Sequence, residues 1–300
     1  MRHDRSDLWY TIAIMEPEKT RLRGAPVRAN YHTHTQWCDG RDTPRAMAEA
    51  AVSAGFTDLG FSSHVSFPEG GEFVLDPAKG LDYARDIRSL AREYAGRLRI
   101  WLGAEADYIP DATDPDRGRY AALGLDYLIG SVHYVVAGDG ARVPVDHTPE
   151  FLSDGIRDHF SGSAEAFVRA YFRQQRDMVS RFDFDIVGHL DLVRKFNAKH
   201  PYFDESAAWY REELALTADA VAASGKVAEV NTGAISRGWL DDAYPSAEFR
   251  AALSSRGVRL VYSSDAHSVS GVGCAYDRFG ATLASNPEYG IISHMECDET

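Results

Sequence analysis

Asn30-Tyr31-His32-Thr33-His34-Thr35-Gln36-Trp37-Cys38-Asp39-Gly40 is the stretch of the chain from which the rest can be interpreted. Residues 27–31 predict a short buried strand. Since side chains alternate along a strand, His32 and His34 at its end point to the same face. Both imidazoles can therefore reach one metal ion, with Asp39 on the loop that follows. A histidine pair of this kind is weak evidence by itself, because most histidines have no chemical role. The interpretation needs further ligands elsewhere in the chain.

The composition limits the class of protein. A chain of 300 residues suits one large domain, such as an α/β barrel, or two ordinary ones. A net charge of -13, without any long run of Lys and Arg, disfavours a nucleic-acid groove or an anionic membrane as partner. No apolar run reaches the roughly 18 residues of a membrane-spanning helix. The three cysteines, Cys38, Cys274 and Cys297, show no paired spacing, which predicts no disulfide framework and a cytoplasmic setting.

Short apolar segments alternate with helical periodicity along the whole chain. The predicted strands are residues 27–31, 57–64, 99–108, 127–133, 184–191, 226–232 and 258–267, and the predicted helices are residues 43–55, 80–96, 120–124, 163–181, 203–225, 246–256 and 272–284. The strand segments are continuously apolar, as expected for parallel strands buried on both faces. This repetition predicts an α/β barrel over residues 27–300, preceded by an N-terminal extension, residues 1–26. Residues 134–162 are interpreted as a long polar loop, with a functional or lid role.

Side chains that can bind metal collect at the ends of the predicted strands. In barrels of parallel strands the active site lies at the carboxyl ends of the strands. Six of the 11 histidines fall at such ends. The candidate ligands are His32, His34, Asp39, His64, Glu105, His133, His189, Asp265 and His267. Nine ligands exceed what one tetrahedral ion needs, so we expect two or three divalent ions that share carboxylates. Imidazole and carboxylate ligands without thiolate suit Zn, Mn or Fe.

Two other residues near these positions leave their role open. Cys38 lies inside the opening motif, but a single cysteine is more often packed than ligating. Glu229 lies in the middle of a predicted strand. It is interpreted either as a hydrogen-bonding partner of a metal ligand or as part of a salt bridge inside the barrel.

Taken together, the motifs resemble those of the polymerase and histidinol phosphatase (PHP) superfamily. The similarity lies in His32-Thr33-His34-Thr35, Gly60-Phe61-Ser62-Ser63-His64, Gly103-Ala104-Glu105-Ala106-Asp107-Tyr108, Gly130-Ser131-Val132-His133, Gly188-His189-Leu190-Asp191-Leu192 and Ser263-Ser264-Asp265-Ala266-His267. Within the superfamily the chain is most similar to stand-alone histidinol-phosphate phosphatases, through Cys38-Asp39-Gly40, the run that starts at Glu105, and Asn231-Thr232-Gly233-Ala234. The resemblance covers about residues 28–285.

The resemblance implies a distorted (β/α)7 TIM-like barrel of PHP type with a trinuclear metal centre. One ion would be held by His32, His34, Glu105 and Asp265. A second would share Glu105 and add His133 and His189, and a third would be held by Asp39, His64 and His267. The implied activity is metal-dependent hydrolysis of L-histidinol phosphate to L-histidinol and phosphate, a step of histidine biosynthesis. A hydroxide that bridges two metal ions would attack phosphorus in line with the leaving alcohol.

The phosphate and the rest of the substrate also need partners. Arginine matches phosphate oxygens with its planar fork, and the resemblance makes Arg194 and Arg237 the phosphate-binding candidates, with Lys195 a weaker one. The ammonium and imidazole of histidinol phosphate call for carboxylates and an aromatic wall. Asp107, Tyr108 and Asp146 are the candidates for this role. Asp39, His64 and Asp265 complete the catalytic candidates. The sequence leaves open which group protonates the leaving alcohol, with Asp39 and Asp265 as candidates that would act through metal-bound water.

Two other functions are consistent with the same residues. The first is a related phosphoesterase that acts on another small phosphate ester, on nucleotides or on nucleic-acid 3′-ends, although the acidic composition argues against nucleic acid. The second is a barrel that binds metal without catalysis. The expected partner is therefore a small phosphate ester, with no nucleic acid and no membrane, and the sequence leaves the oligomeric state open.

Overall fold

The computed structural model describes residues 27–65 and 73–284. The predicted N-terminal extension, residues 1–26, and the last 16 positions of the predicted barrel domain, residues 285–300, lie outside the described residues. The strands are β1 (Ala29–Asn30), β2 (Asp58–Phe61), β3 (Arg99–Asp107), β4 (Tyr127–Ser131), β5 (Tyr134–Val136), β6 (Arg142–Pro144), β7 (Ile186–Val187), β8 (Val227–Asn231) and β9 (Leu260–Ser263). The α-helices are α1 (Pro44–Ser53), α2 (Gly80–Glu93), α3 (Pro149–His159), α4 (Ala164–Arg181), α5 (Ala208–Ser224), α6 (Gly233–Ser236), α7 (Ala247–Ser254) and α8 (Tyr276–Ala284).

Seven parallel strands form one sheet in the order β1-β2-β3-β4-β7-β8-β9. Its two edges meet just beyond β1 and β9, where Thr33 and Ala266 form a parallel bridge and the backbone N–H of His34 donates to the Ala266 carbonyl at 2.9 Å. The sheet is therefore a nearly closed barrel, which confirms the predicted fold. The hydrogen-bonded strands are shorter than predicted, because the chain leaves the sheet before it reaches several of the candidate ligands.

Tyr127 fills part of the barrel interior. Its side chain is fully buried, and its hydroxyl donates to the Tyr31 carbonyl at 2.5 Å. Glycine is required beside this ring: a Cβ at Gly60 would lie 2.1 Å from the Tyr127 hydroxyl oxygen, and a Cβ at Gly103 would lie 2.2 Å from Cζ. The ring thus packs directly on β2 and β3 and holds the backbone immediately before His32.

Residues 134–162 are not the single long loop that the sequence predicts. Strands β5 and β6 pair antiparallel as a hairpin around Gly138-Asp139-Gly140, and the helix α3 follows. Gly140 has a φ of +87°, which the turn requires. Thr148 caps α3 by accepting the backbone N–H of Phe151 at 3.2 Å, and Pro149 occupies its first turn. The glycine and proline content is therefore turn and cap chemistry.

Among the helices of residues 27–65 and 73–284, none has the length and apolarity needed to span a membrane.

Candidate metal centre

The structure brings all nine candidate ligands together at the carboxyl ends of the barrel strands, and Glu105 lies at their centre. Its side chain is buried at the end of β3. Its carboxylate oxygens lie within 3.6 Å of ring nitrogens of five histidines: His32 (3.0 Å), His34 (3.5 Å), His64 (3.2 Å), His133 (3.6 Å) and His189 (3.0 Å). One carboxylate thus contacts the rings of five candidate ligands.

Two aspartates extend the cluster beyond Glu105. Asp265 Oδ1 lies 3.3 Å from His34 Nε2 and 3.7 Å from His32 Nε2. On the outer side, Asp39 Oδ2 lies 3.0 Å from His267 Nε2, and Asp39 Oδ1 lies 3.5 Å from His34 Nδ1. His34 therefore lies between the two aspartates.

Three overlapping groups of candidate ligand atoms are compact enough for one ion each, with all atoms of a group within 4.8 Å of one another. The groups are His32, His34 and Glu105; His64, Glu105 and His133; and His34, Asp39, His64 and His267. They overlap with the three predicted ligand sets, but His34 and His64 each belong to two groups. Which residue binds which ion stays a prediction.

Three buried atoms that can bind metal but make no hydrogen bond support metal binding at this cluster. His34 Nε2, Asp39 Oδ1 and His189 Nδ1 are buried and make no hydrogen bond. Buried polar atoms without a partner are costly in free energy, so each such atom needs an explanation. Imidazole nitrogens and carboxylate oxygens at these separations suit a divalent metal ion, which would satisfy His34 and Asp39 directly.

The cluster has strongly perturbed acid–base properties. Burial lowers the pKa of His133, but the carboxylates of Asp107 and Glu105 outweigh it and raise the pKa to about 10. Burial and the neighbouring His267 and His64 lower the pKa of His34 to about 3. Burial alone would raise the pKa of Glu105, yet the surrounding imidazoles hold it well below its usual range. The carboxylate of Glu105 is therefore ionised at neutral pH and available to cations.

A cavity of about 1060 Å³ opens beside the cluster, and several predicted substrate residues line it. Arg237 donates from Nη2 to Asp265 Oδ2 at 2.7 Å. Asp107 lies 2.5 Å from His133 Nδ1, and Asp146 accepts from Lys195 Nζ at 3.0 Å. The structure thus places Arg237, Asp107 and Asp146 at the cavity, together with Lys195.

Arg194 does not reach this cavity, contrary to the prediction. It lies in a short 3₁₀ segment, Leu192–Arg194, where Nε donates to Glu205 at 2.6 Å and Nη1 to Asp191 at 3.5 Å. Two carboxylates therefore hold its guanidinium away from the cavity lining. The next residue, Lys195, is the cation that lines the cavity instead.

Tyr108 is also placed differently from the prediction. Its hydroxyl contacts Asp177 and Arg181 of α4, and the ring lines a separate cavity of about 270 Å³. The physical reason is the alternation of side chains at the end of β3. Asp107 points toward His133, so the following residue points to the opposite side. Tyr108 therefore cannot form the aromatic wall of the larger cavity.

Several cavity residues were missed from the sequence, Arg41, Tyr134 and His147 among them. Tyr134 and His147 line the cavity at the two ends of the β5–β6 hairpin. Tyr134 follows the candidate ligand His133 directly, and this adjacency was the available signal. Nothing in the sequence marked His147, because the segment was interpreted as a loop.

Known proteins resemble this chain in sequence and in fold. The sequence model of the PHP domain matches residues 30–233. A Deinococcus radiodurans protein named probable histidinol-phosphatase is 31% identical over 248 residues, which cover 81% of this chain and 87% of the relative. Two crystal structures have similar folds. One is a protein from Listeria monocytogenes named as a histidinol phosphatase (20% identity, TM-score 0.75, covering 84% of this chain and 100% of the other). The other is the histidinol phosphate phosphatase of Lactococcus lactis complexed with Zn, L-histidinol and phosphate (21% identity, TM-score 0.56, covering 87% and 94%). The chain therefore belongs to the PHP-domain family, as its motifs predict.

Proposed function

We propose that this protein is a metal-dependent phosphomonoesterase that hydrolyses L-histidinol phosphate to L-histidinol and phosphate. The observation that carries the proposal is the convergence of nine imidazole and carboxylate side chains on a cavity that also exposes Arg237 and Lys195. The name of the Deinococcus relative and the zinc, L-histidinol and phosphate of the Lactococcus complex support this choice of substrate. A small-molecule substrate and a cytoplasmic location remain predictions from composition.

For the cofactor, we propose two or three divalent ions, Zn, Mn or Fe, on the ligand sets that the resemblance implies. Glu105 would be shared, since its oxygens face five histidines. When bound, such ions would supply Lewis-acid activation of water and neutralise charge on the phosphoryl group. Hydrolysis on this plan needs no covalent phosphoenzyme.

Residues around the cluster are proposed to bind the phosphate, to orient a ligand and to assist proton transfer. Arg237 donates hydrogen bonds to Asp265 from Nη1 and Nη2. Its remaining N–H groups can donate to phosphate oxygens. This contact also holds Asp265 Oδ2, so that Oδ1 faces the imidazoles of His32 and His34. The pKa values of Asp39 and Asp265 are lowered, so both carboxylates are ionised and neither can donate a proton itself. They remain the candidates for guiding a proton to the leaving alcohol through water.

Recognition of the amino alcohol is proposed for the side of the cavity near Lys195. Asp146 is held by Lys195 and is ionised, because Lys195 and His133 lower its pKa against the effect of burial. Asp107, which also lines the cavity, is the second carboxylate proposed to bind the substrate ammonium. Since Tyr108 is directed elsewhere, Tyr134 replaces it as the proposed aromatic contact.

The test is steady-state phosphate release by the full chain reconstituted separately with Zn²⁺, Mn²⁺ and Fe²⁺. The panel contains L-histidinol phosphate, other small phosphate esters, nucleotides and single-stranded DNA. We expect a strong preference for L-histidinol phosphate. Equal or higher activity on nucleotides or DNA would favour the related phosphoesterase, and bound metal without turnover would favour the non-catalytic barrel. A Glu105→Gln variant is the control for contaminating phosphatases.

A further inference from the structure

Glu229 is a fully buried carboxylate in the middle of β8, below the metal cluster. Its Oε2 lies 2.9 Å from His32 Nδ1. Its Oε1 accepts the backbone N–H of His189 at 2.7 Å and the side-chain Nδ2 of Asn231 at 2.8 Å. One carboxylate from β8 is thus bonded to two candidate ligands that follow β1 and β7.

The direction of both hydrogen bonds to Oε1 is fixed. A backbone N–H can only donate, which settles the bond from His189. The Asn231 amide is oriented because its Oδ1 accepts the backbone N–H of Gly233 at 2.8 Å, which leaves Nδ2 to face Glu229. Oε1 of Glu229 therefore has two obligate donors. Metal-binding histidines typically donate their second ring N–H to a carboxylate, so the 2.9 Å contact of Oε2 points to a proton on His32 Nδ1.

We infer that Glu229 is a positioning residue for metal binding. By accepting the proton of His32 Nδ1, it leaves Nε2 as the ligand atom, and Nε2 is the atom that faces Glu105 and Asp265. By accepting the His189 N–H, it also fixes the backbone of a second ligand. The inference rests on the proposed function, because it takes both histidines as metal ligands.

Replacing Glu229 with glutamine is a sharp test because it changes protons and hardly changes volume. The glutamine oxygen must face the two obligate donors, so its NH₂ group faces His32 Nδ1. To satisfy this donor, Nδ1 must accept, and the ring proton moves to Nε2, where it blocks the ligand atom. Carboxylates that orient metal-bound histidines typically contribute about 10- to 100-fold to metal affinity.

Zn²⁺ affinity and stoichiometry would be measured on the metal-stripped full chain by competition with a chromophoric chelator. We expect Glu229→Gln to bind Zn²⁺ about 10- to 100-fold more weakly than wild type. Glu213→Gln is the matched control: Glu213 is also a buried glutamate, but it accepts from Arg169 and Arg176 in the helical layer. It should lose stability and keep its Zn²⁺ affinity.

A second measurement avoids the variant altogether, in case Glu229→Gln does not fold. In the Zn²⁺-loaded wild type, ¹⁵N NMR of the histidine rings should place the His32 proton on Nδ1. Unchanged Zn²⁺ affinity in Glu229→Gln, or a His32 proton on Nε2 in the wild type, would overturn the inference. A wild-type chain that binds no transition metal would instead refute the proposed function on which the inference rests.

Discussion

Arg237 is fixed by Asp265 at the edge of the cavity, and this contact sets the expected effect of removing it. Nη2 donates to Asp265 Oδ2 at 2.7 Å and Nη1 to the Asp265 carbonyl at 3.2 Å. Arg237→Ala removes the donors available to phosphate oxygens, so we expect kcat/KM for L-histidinol phosphate to fall about 100-fold. Phosphate-release kinetics check this, with bound metal quantified because Asp265 is also a predicted ligand. Arg237→Lys, which keeps charge but loses the fork, should recover only part of the activity. Full activity in the alanine variant would remove Arg237 from the phosphate site.

Arg194 gives the opposite expectation, since it neutralises two carboxylates outside the cavity. Its removal leaves Asp191 fully buried without its cation, and burial already raises the pKa of Asp191. Removing one partner of such a buried ion pair lowers the free energy of unfolding by about 3 kcal/mol or more. We therefore expect Arg194→Gln to lower the free energy of unfolding by about this amount and to leave KM unchanged. Denaturant unfolding and substrate kinetics would be compared. If Arg194→Gln raised KM and left stability unchanged, Arg194 would be a phosphate-binding residue after all.

These two arginines show which site residues the sequence can predict. The candidate ligands follow strand ends, and parallel strands bring their ends together whatever the details of the loops. Where the Arg194 side chain lies depends on the direction of a 3₁₀ turn and on its contact with Glu205, 11 positions further along the chain. No local sequence pattern reveals either. Tyr108 was predictable: because neighbours alternate along a strand, Asp107 and Tyr108 could not both face one cavity.

At the scale of the elements, Gly103, one of two glycines beside Tyr127, is a position in the barrel wall that leaves no room for a side chain. A Cβ at Gly103 would lie 2.2–2.6 Å from three atoms of the buried Tyr127 ring, which cannot move without breaking its hydrogen bond to Tyr31. We expect Gly103→Ala to lower the free energy of unfolding by about 1–3 kcal/mol or more, as overpacked cores do. The matched control is Gly138→Ala in the β5–β6 turn, where a Cβ meets nothing within 4 Å. Its effect should stay within about 0.5 kcal/mol. Equal unfolding midpoints for both variants would contradict this account of the barrel interior.

The elements themselves were predicted well where periodicity was long and poorly where it was short. The alternation of strand and helix patterns predicted the seven parallel strands of the barrel. The β5–β6 hairpin escaped because three-residue strands carry too little alternation to stand out among Gly, Asp and Pro. Its consequence for the site is direct, since the hairpin places Tyr134 at the cavity and leads into Asp146.

At the scale of the whole molecule, an acidic chain concentrates its histidines where its buried carboxylates meet. The pKa of His133 is raised from 6.5 to about 10, and those of His32 and His267 are also raised, in each case by carboxylates that overcome burial. After metal is stripped, the rings of His133 and His32 should therefore hold protons at neutral pH. Glu105 and Asp265, whose pKa values lie well below their usual range, should stay ionised. With a pKa of about 3, His34 should be neutral and contribute no proton.

Metal uptake by the stripped protein should consequently release protons and strengthen as pH rises from about 6 to about 8, because cations and protons compete for the same rings. Calorimetry of Zn²⁺ binding in buffers of different ionisation enthalpy would count the protons. The stability of the stripped protein should follow the opposite trend. Because the pKa of His133 is higher in the folded chain than in the unfolded one, its proton stabilises the fold fully below about pH 6.5, and this contribution is lost as pH rises toward about 10. Thermal unfolding of stripped and Zn²⁺-loaded protein across this range would check the trend. If Zn²⁺ binding released no proton and its affinity did not change with pH, the histidines would not be the metal ligands.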